Sequence, residues 1–120
     1  MIPTDAIVLF FVLHFLGDWL FQPPRIALNK SKDPNALLQH ASIYTLAMLC
    51  MRAVLPWSVF WPWLAINIFC HMFQDWFYYR LVWRWQWENK HWNGDSRFVW
   101  IGLDQTLHFI VAVVTLSLLT

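Results

Sequence analysis

VFWPWLAINIFCHMFQDWFYYRLVW, Val59 to Trp83, is the stretch that decides the fold. It is long and apolar enough to cross a bilayer as one helix, which takes about 20 residues. It nevertheless carries His71 and Asp75. Residues four apart on a helix lie one turn above each other on the same face. The segment therefore presents an imidazole and a carboxylate together. The same spacing recurs in LHFLGDW, with His14 and Asp18, and in reverse order in LDQTLHF, with Asp104 and His108. A further histidine, His40, stands in a fourth apolar segment.

The bulk numbers agree with a membrane setting. Only 12% of the 120 residues are charged and 59% are hydrophobic; soluble domains carry about 25% charged residues. So short a chain cannot cover itself with polar surface. A net charge of +1 gives no ground for nucleic-acid binding. Cys50 and Cys70 fall in apolar segments and read as packed thiols, not as a disulfide. The N-terminus lacks a basic signal-peptide region, so the first apolar segment is expected to stay in the mature protein.

The expected fold is all-α: one domain of four transmembrane helices in an antiparallel bundle, with spans at about 5–21, 35–55, 59–83 and 98–119. Thr4 or Asp5 is the expected N-cap of the first. Pro23 and Pro24 end it, with room for one interfacial helical turn after them. Pro34 opens the second span, Pro56 closes it, and Pro62 is expected in the first turn of the third, where proline is tolerated. Arg25, Lys30, Lys32, Arg80, Arg84, Lys90 and Arg97 flank two connections, whereas the other side holds Arg52 alone. That bias puts loops 22–34 and 86–97 in the bacterial cytoplasm and both termini outside the inner membrane. Trp57, Trp61 and Trp63 suit the outer interface; Trp83, Trp85, Trp87, Trp92 and Trp100 suit the inner one.

On that topology His14, Asp18, His40, His71, Asp75, Asp104 and His108 all fall in one layer near the cytoplasmic face. The first and third spans run toward the cytoplasm and the fourth away from it, which accounts for the reversed order of Asp104 and His108. An Asp at mid-span costs roughly 2.5–3.5 kcal/mol to insert, and three cost on the order of 10 kcal/mol if additive. Something must offset that cost. Imidazoles and carboxylates together suit Zn²⁺, with Mn²⁺ or Fe²⁺ as alternatives. Seven donors suffice for two ions bridged by carboxylates, or for one ion with His–Asp hydrogen bonds around it. Metal-free pairs that lock packing or relay protons are the simpler alternative.

Gln22, Lys30, Gln39, Gln74 and Gln105 sit near the same layer. Lys30 over the mouth, with Arg25, is expected to hold an anionic lipid or phosphate substrate, and Gln105 to orient it. Arg80 and Arg84 are expected to reach lipid headgroups. The leading expectation is a metal-dependent hydrolase in which the ion lowers the pKa of a bound water and Asp18 or Asp104 acts as base. The alternatives are a metal-ion or proton channel or transporter, in oligomeric form or alone, and a metal-stabilised scaffold. Against transport, the outer halves offer only Ser42, Tyr44, Thr45, Asn67, Thr115 and Ser117.

HFLGDWLFQ from His14 to Gln22, NKSK from Asn29 to Lys32, LLQHASIYTL around His40, the His71–Asp75 pair and LDQTLHF together resemble the bacterial family known as domain of unknown function 3307. The likeness covers nearly the whole chain. It implies a small multi-span inner-membrane protein, some relatives being phage-borne, and it supplies no activity. The family pattern carries a Lys shortly after the Asp of the third pair; here Asp75 is followed by Trp76-Phe77-Tyr78-Tyr79.

Overall fold

A computed structural model describes residues 2–89 and 94–120, with the side chains of all of these save 78–79, 82–89 and 94–100. The chain is all-α, with no strand among the described residues. Its helices are α1 (Thr4–Phe15), α2 (Pro24–Asn29), α3 (Pro34–Met48), α4 (Trp57–Asn89) and α5 (Gly94–Leu119). A π-helical turn, Leu16–Leu20, extends α1, and a 3₁₀ turn, Leu49–Ala53, extends α3.

Local chemistry explains most of these limits. α1 starts behind Pro3, whose carbonyl accepts from the amides of Ala6 and Ile7. The N-cap is thus Pro3, not Thr4 or Asp5, and it makes no side-chain cap. Pro23 and Pro24 break the chain, and Pro24, needing no amide partner, opens α2. Asp33 caps α3 by accepting from the Asn35 amide at 2.9 Å, with Pro34 at the first helical position. Arg52 donates to the Leu55 carbonyl and lies 4.4 Å over the Trp57 ring, closing the turn into α4.

α4 begins two residues before the expected Val59, so Pro62 is its sixth residue and lies beyond the first turn. The helix runs on regardless. α4 also outlasts the expected end at Trp83, and α5 begins before Phe98. The expected polar loop 86–97 is therefore mostly helical where described, and Lys90, His91, Trp92 and Asn93 lie outside the described residues. So do the side chains of Trp83, Trp85, Trp87, Trp100, Arg84 and Arg97.

An apolar core fills the end of the bundle where α1 starts and α3 ends: Phe10, Leu13, Met48, Met51, Leu55, Phe60, Trp63, Ala112 and Leu116 among others. Trp57 and Trp61 are more than half exposed, but Trp63 is core, not an interfacial anchor. It meets Phe10 edge to face at 5.9 Å and donates to the Ala112 carbonyl at 3.3 Å. Both thiols are free, and Cys50 is exposed rather than packed. Arg80 lies 3.7 Å over Trp76 and donates to the Ser31 carbonyl at 2.8 Å, which ties α4 to the segment after α2. Within α5, Ile101–Leu119 is long and apolar enough to cross a membrane, the one such stretch among the described residues.

Candidate metal centre

The other end of the bundle buries charge. His14, Asp18, Lys30, His40, His71, Asp75, Asp104 and His108 are each less than a tenth exposed, and His40, Asp75 and Asp104 are fully enclosed. They come from α1 and its π turn, the C-terminus of α2, α3, α4 and α5. Small residues allow the approach. A Cβ on Gly17 would stand 3.2 Å from the Ala47 Cβ and 3.3 Å from the Tyr44 Cα, so a larger residue would have to push the π turn from α3 by a few tenths of an ångström.

Four donors converge on one point. The Nε2 atoms of His40 and His71 are 2.8 Å apart. Asp75 Oδ2 is 2.9 Å from His40 Nε2 and 3.1 Å from His71 Nε2. Asp18 Oδ1 is 3.1 Å from His40 Nε2 and 3.8 Å from His71 Nε2. Donors about 2.0–2.2 Å from a tetrahedral ion stand about 3.3–3.6 Å from each other. The separations here bracket that range. Neither Asp75 oxygen has a partner in hydrogen-bond geometry despite these short approaches. Asp75 Oδ2 thus stands close to both imidazoles without a hydrogen bond, as a donor atom facing a shared ion would. These four residues could hold a metal ion.

A second group shares Asp75. It comprises Asp75, Asp104 and His108. His108 Nδ1 lies 2.7 Å from the Asp104 carbonyl and so carries the proton, leaving the Nε2 lone pair available. That Nε2 is buried without a hydrogen-bond partner, as is Asp104 Oδ1. It stands 3.8 Å from Asp75 Oδ1.

His14 belongs to neither group, although its spacing to Asp18 matches the other pairs. Its Nε2 is 3.6 Å from Asp18 Oδ2, too far for a hydrogen bond. Gln105 fills the gap. Its Nε2 donates to Asp18 Oδ2 at 2.8 Å, so its Oε1 accepts from His14 Nε2 at 2.7 Å. His14 Nδ1 then accepts from the Tyr44 hydroxyl at 3.2 Å, and that hydroxyl oxygen accepts from Asn67 Nδ2 at 3.2 Å. Both His14 nitrogens are used. Of the seven expected ligands, six fall in the two groups that could hold a metal, and His14 instead reaches Asp18 through Gln105.

Lys30 is not over a mouth. It is buried, with Nζ 3.2 Å from Asp18 Oδ1 and 3.2 Å from Asp75 Oδ1. Burial alone would lower its pKa, but the carboxylates of Asp75, Asp18 and Asp104 together outweigh it, and the pKa is raised. Arg25 stands apart from the cluster at an exposed position, donating to Gln39 Oε1 at 3.2 Å. Gln22 donates to the Asp18 carbonyl at 2.9 Å, and the buried Gln74 Oε1 has no partner.

Tyr44 and Asn67, read from sequence as stray polar residues, are part of this network. Tyr44 is fully buried, and its ring stacks on that of His71 at 3.8 Å. The signal was present: Tyr44 lies four residues after His40 and Asn67 four before His71, which puts each on the face of a centre residue.

Residues 6–120 match the family model described as protein of unknown function (DUF3307). The chain belongs to that family. No curated protein and no solved structure matches it. The family match covers every residue of the centre and assigns none of them a role.

Proposed function

We propose that the chain is a multi-pass bacterial inner-membrane metalloprotein whose centre, near the cytoplasmic face, hydrolyses a lipid or phosphate-bearing substrate. The convergence of His40, His71, Asp75 and Asp18 on one point carries this reading. The membrane part is supported by inverted polarity. The fully enclosed residues include a histidine and two aspartates, while Phe11, Leu46, Phe69 and Leu118 are each about two-thirds exposed or more. Large apolar side chains facing outward around a buried ionic cluster suit lipid as the solvent.

In this reading His40, His71, Asp75 and Asp18 would hold the ion. A divalent ion there supplies Lewis acidity and makes water a nucleophile at neutral pH. Gln105 donates to Asp18 Oδ2 and keeps that carboxylate from rotating, and Asp104, whose Oδ1 is buried without a hydrogen-bond partner, would take the proton. Two cavities border the first turn of α3. One is polar, about 420 Å³, lined by Arg25, Asn29, Asp33, Asn35 and Gln39. The other is an apolar groove of about 370 Å³ between Leu37, Phe69, Met72, Phe73 and Trp76. A phospholipid has a part for each, an anionic head and an acyl chain.

Full burial of the donors also suits a metal-stabilised scaffold, since four protein ligands can close a tetrahedral site. Transport is less favoured, because Phe10, Met48, Phe60 and Trp63 fill the bundle beyond Tyr44. The deciding experiment is metal analysis of detergent-purified protein, wild type against Asp75→Ala, followed by incubation with phospholipid vesicles. The hydrolase reading expects stoichiometric metal in wild type, loss in the variant, and headgroup or acyl release that stops with chelator. Metal without any release leaves the scaffold, and no metal in wild type overturns both.

A further inference from the structure

Asp75 faces two ways. Its Oδ2 approaches His40 and His71, within the first donor group. Its Oδ1 approaches Lys30 Nζ at 3.2 Å and His108 Nε2 at 3.8 Å. That is how a carboxylate stands between two cations. One side is built for a metal ion. On the other, the ammonium of Lys30 bridges Asp75 Oδ1 and Asp18 Oδ1.

Lys30 arrives there by design of the chain, not by chance snorkelling. The Pro23–Pro24 break and the six-residue α2 fold the connection back under the bundle, and Lys30 forms the C-cap of α2 with its amide on the Ile26 carbonyl. Its side chain is 7% exposed, although a lysine in a loop normally keeps its head in water.

Charge then counts the ions. Asp18, Asp75 and Asp104 bring three negative charges and Lys30 one positive, with the imidazoles neutral as ligands. The two negative charges left match one divalent ion. A second divalent ion would leave the enclosed centre with two positive charges, which a low-dielectric interior disfavours. The donors for a second ion are nevertheless present and unsatisfied: Asp104 Oδ1 and His108 Nε2 are buried without hydrogen-bond partners.

Building on the metal-centre reading above, we infer that the Lys30 ammonium is the resident second cation of a two-cation centre. The chain holds one divalent ion. The position bounded by Asp75 Oδ1, Asp104 and His108 takes another only when the charge of Lys30 is removed.

The test is a zinc titration of the detergent-purified full chain, with bound metal measured by mass spectrometry after desalting. Wild type is expected to retain one zinc per chain, also in large zinc excess. Lys30→Met and Lys30→Gln are expected to retain two, and Lys30→Arg one. The double variant Lys30→Met with Asp104→Asn returns to one. Two zincs on wild type overturn the inference without any variant. One zinc on both wild type and the folded neutral variants overturns it and leaves the metal centre standing. No zinc on wild type overturns both readings together.

Discussion

His40 and His71 bring their Nε2 atoms to 2.8 Å while both of their Nδ1 atoms lack a hydrogen-bond partner. Two neutral imidazoles in that relation can share one proton at most. The arrangement is poor as a hydrogen-bond network and good as half of a ligand set. Metal should therefore stabilise the fold. Free zinc at about a hundred times its Kd is expected to add about 2.7 kcal/mol, seen as a rise in Tm of the chelator-treated protein. Asp75→Asn should lose the response. His71→Phe should lose it too, yet melt within about 1 kcal/mol of metal-free wild type, because a phenyl ring keeps the stack on Tyr44 and relieves the crowded nitrogens. Identical melts with zinc and with chelator would contradict the metal centre.

The chain from Asn67 through Tyr44, His14 and Gln105 to Asp18 has a single consistent direction of donation. It fixes one Asp18 oxygen and leaves the other to the centre. Gln105→Leu is expected to weaken zinc binding by about 10–100-fold, the usual cost of losing a partner that orients a ligand. Tyr44→Phe removes a hydroxyl that serves both His14 and Asn67, leaving two buried groups unpaired, and should cost about 1–3 kcal/mol. Zinc competition against a chromophoric chelator checks the first, and denaturant melts of the metal-free protein check the second. Unchanged affinity in Gln105→Leu would return His14 to the list of direct ligands.

How far the sequence could carry this is clearest at His14 and Lys30. The spacing of four marked every aspartate of the centre and each of its histidines except His40, because helical periodicity is local and survives any packing. It could not separate His14 from His71 or His108. What separates them is Gln105 and Tyr44, which reach His14 from other helices. The π turn at Leu16–Leu20 also escaped a reading that assumed 3.6 residues per turn, and this wider turn carries Asp18 toward Lys30 and His40. Lys30 reads in sequence as a charge over the mouth of the centre, placed for an anionic substrate. Only the fold-back of α2 turns it inward. Trp63 was misread for a similar reason: an aromatic near a helix end looks like an anchor until a neighbouring helix covers it.

Gly17 should tolerate little. Its would-be Cβ meets the Tyr44 backbone at 3.3 Å, and a backbone atom cannot rotate away as a side-chain tip can. Gly17→Ala must push the π turn from α3 by a few tenths of an ångström. That displaces Asp18, the next residue, and Tyr44, which stacks on His71. Gly17→Ala is expected to cost about 1–3 kcal/mol, as overpacking does, and to weaken zinc binding in the same protein. Gly102, which has open space around it, is the control: Gly102→Ala should cost nothing measurable and gain from helix propensity. Equal melts for the two alanine variants would contradict the close approach.

Lys30 gives the protein a signature in alkali. Its pKa is raised because three carboxylates outweigh the burial that alone would lower it. A group with a raised folded pKa contributes stability that is fully present below its unfolded value, about 10.4 for lysine, and lost as pH rises through the folded value. The metal-free protein should therefore show no loss attributable to Lys30 between neutrality and about pH 10. Lys30→Met should be less stable throughout that range, because Asp18 and Asp75 lose their cation. Above it the gap between wild type and variant should narrow. Thermal melts of both proteins in detergent from about pH 8 to about pH 12 measure that gap directly. A gap that stays flat or widens as pH rises from about 10 to about 12 would mean that Lys30 titrates as an ordinary or depressed lysine, and that the carboxylates do not hold it.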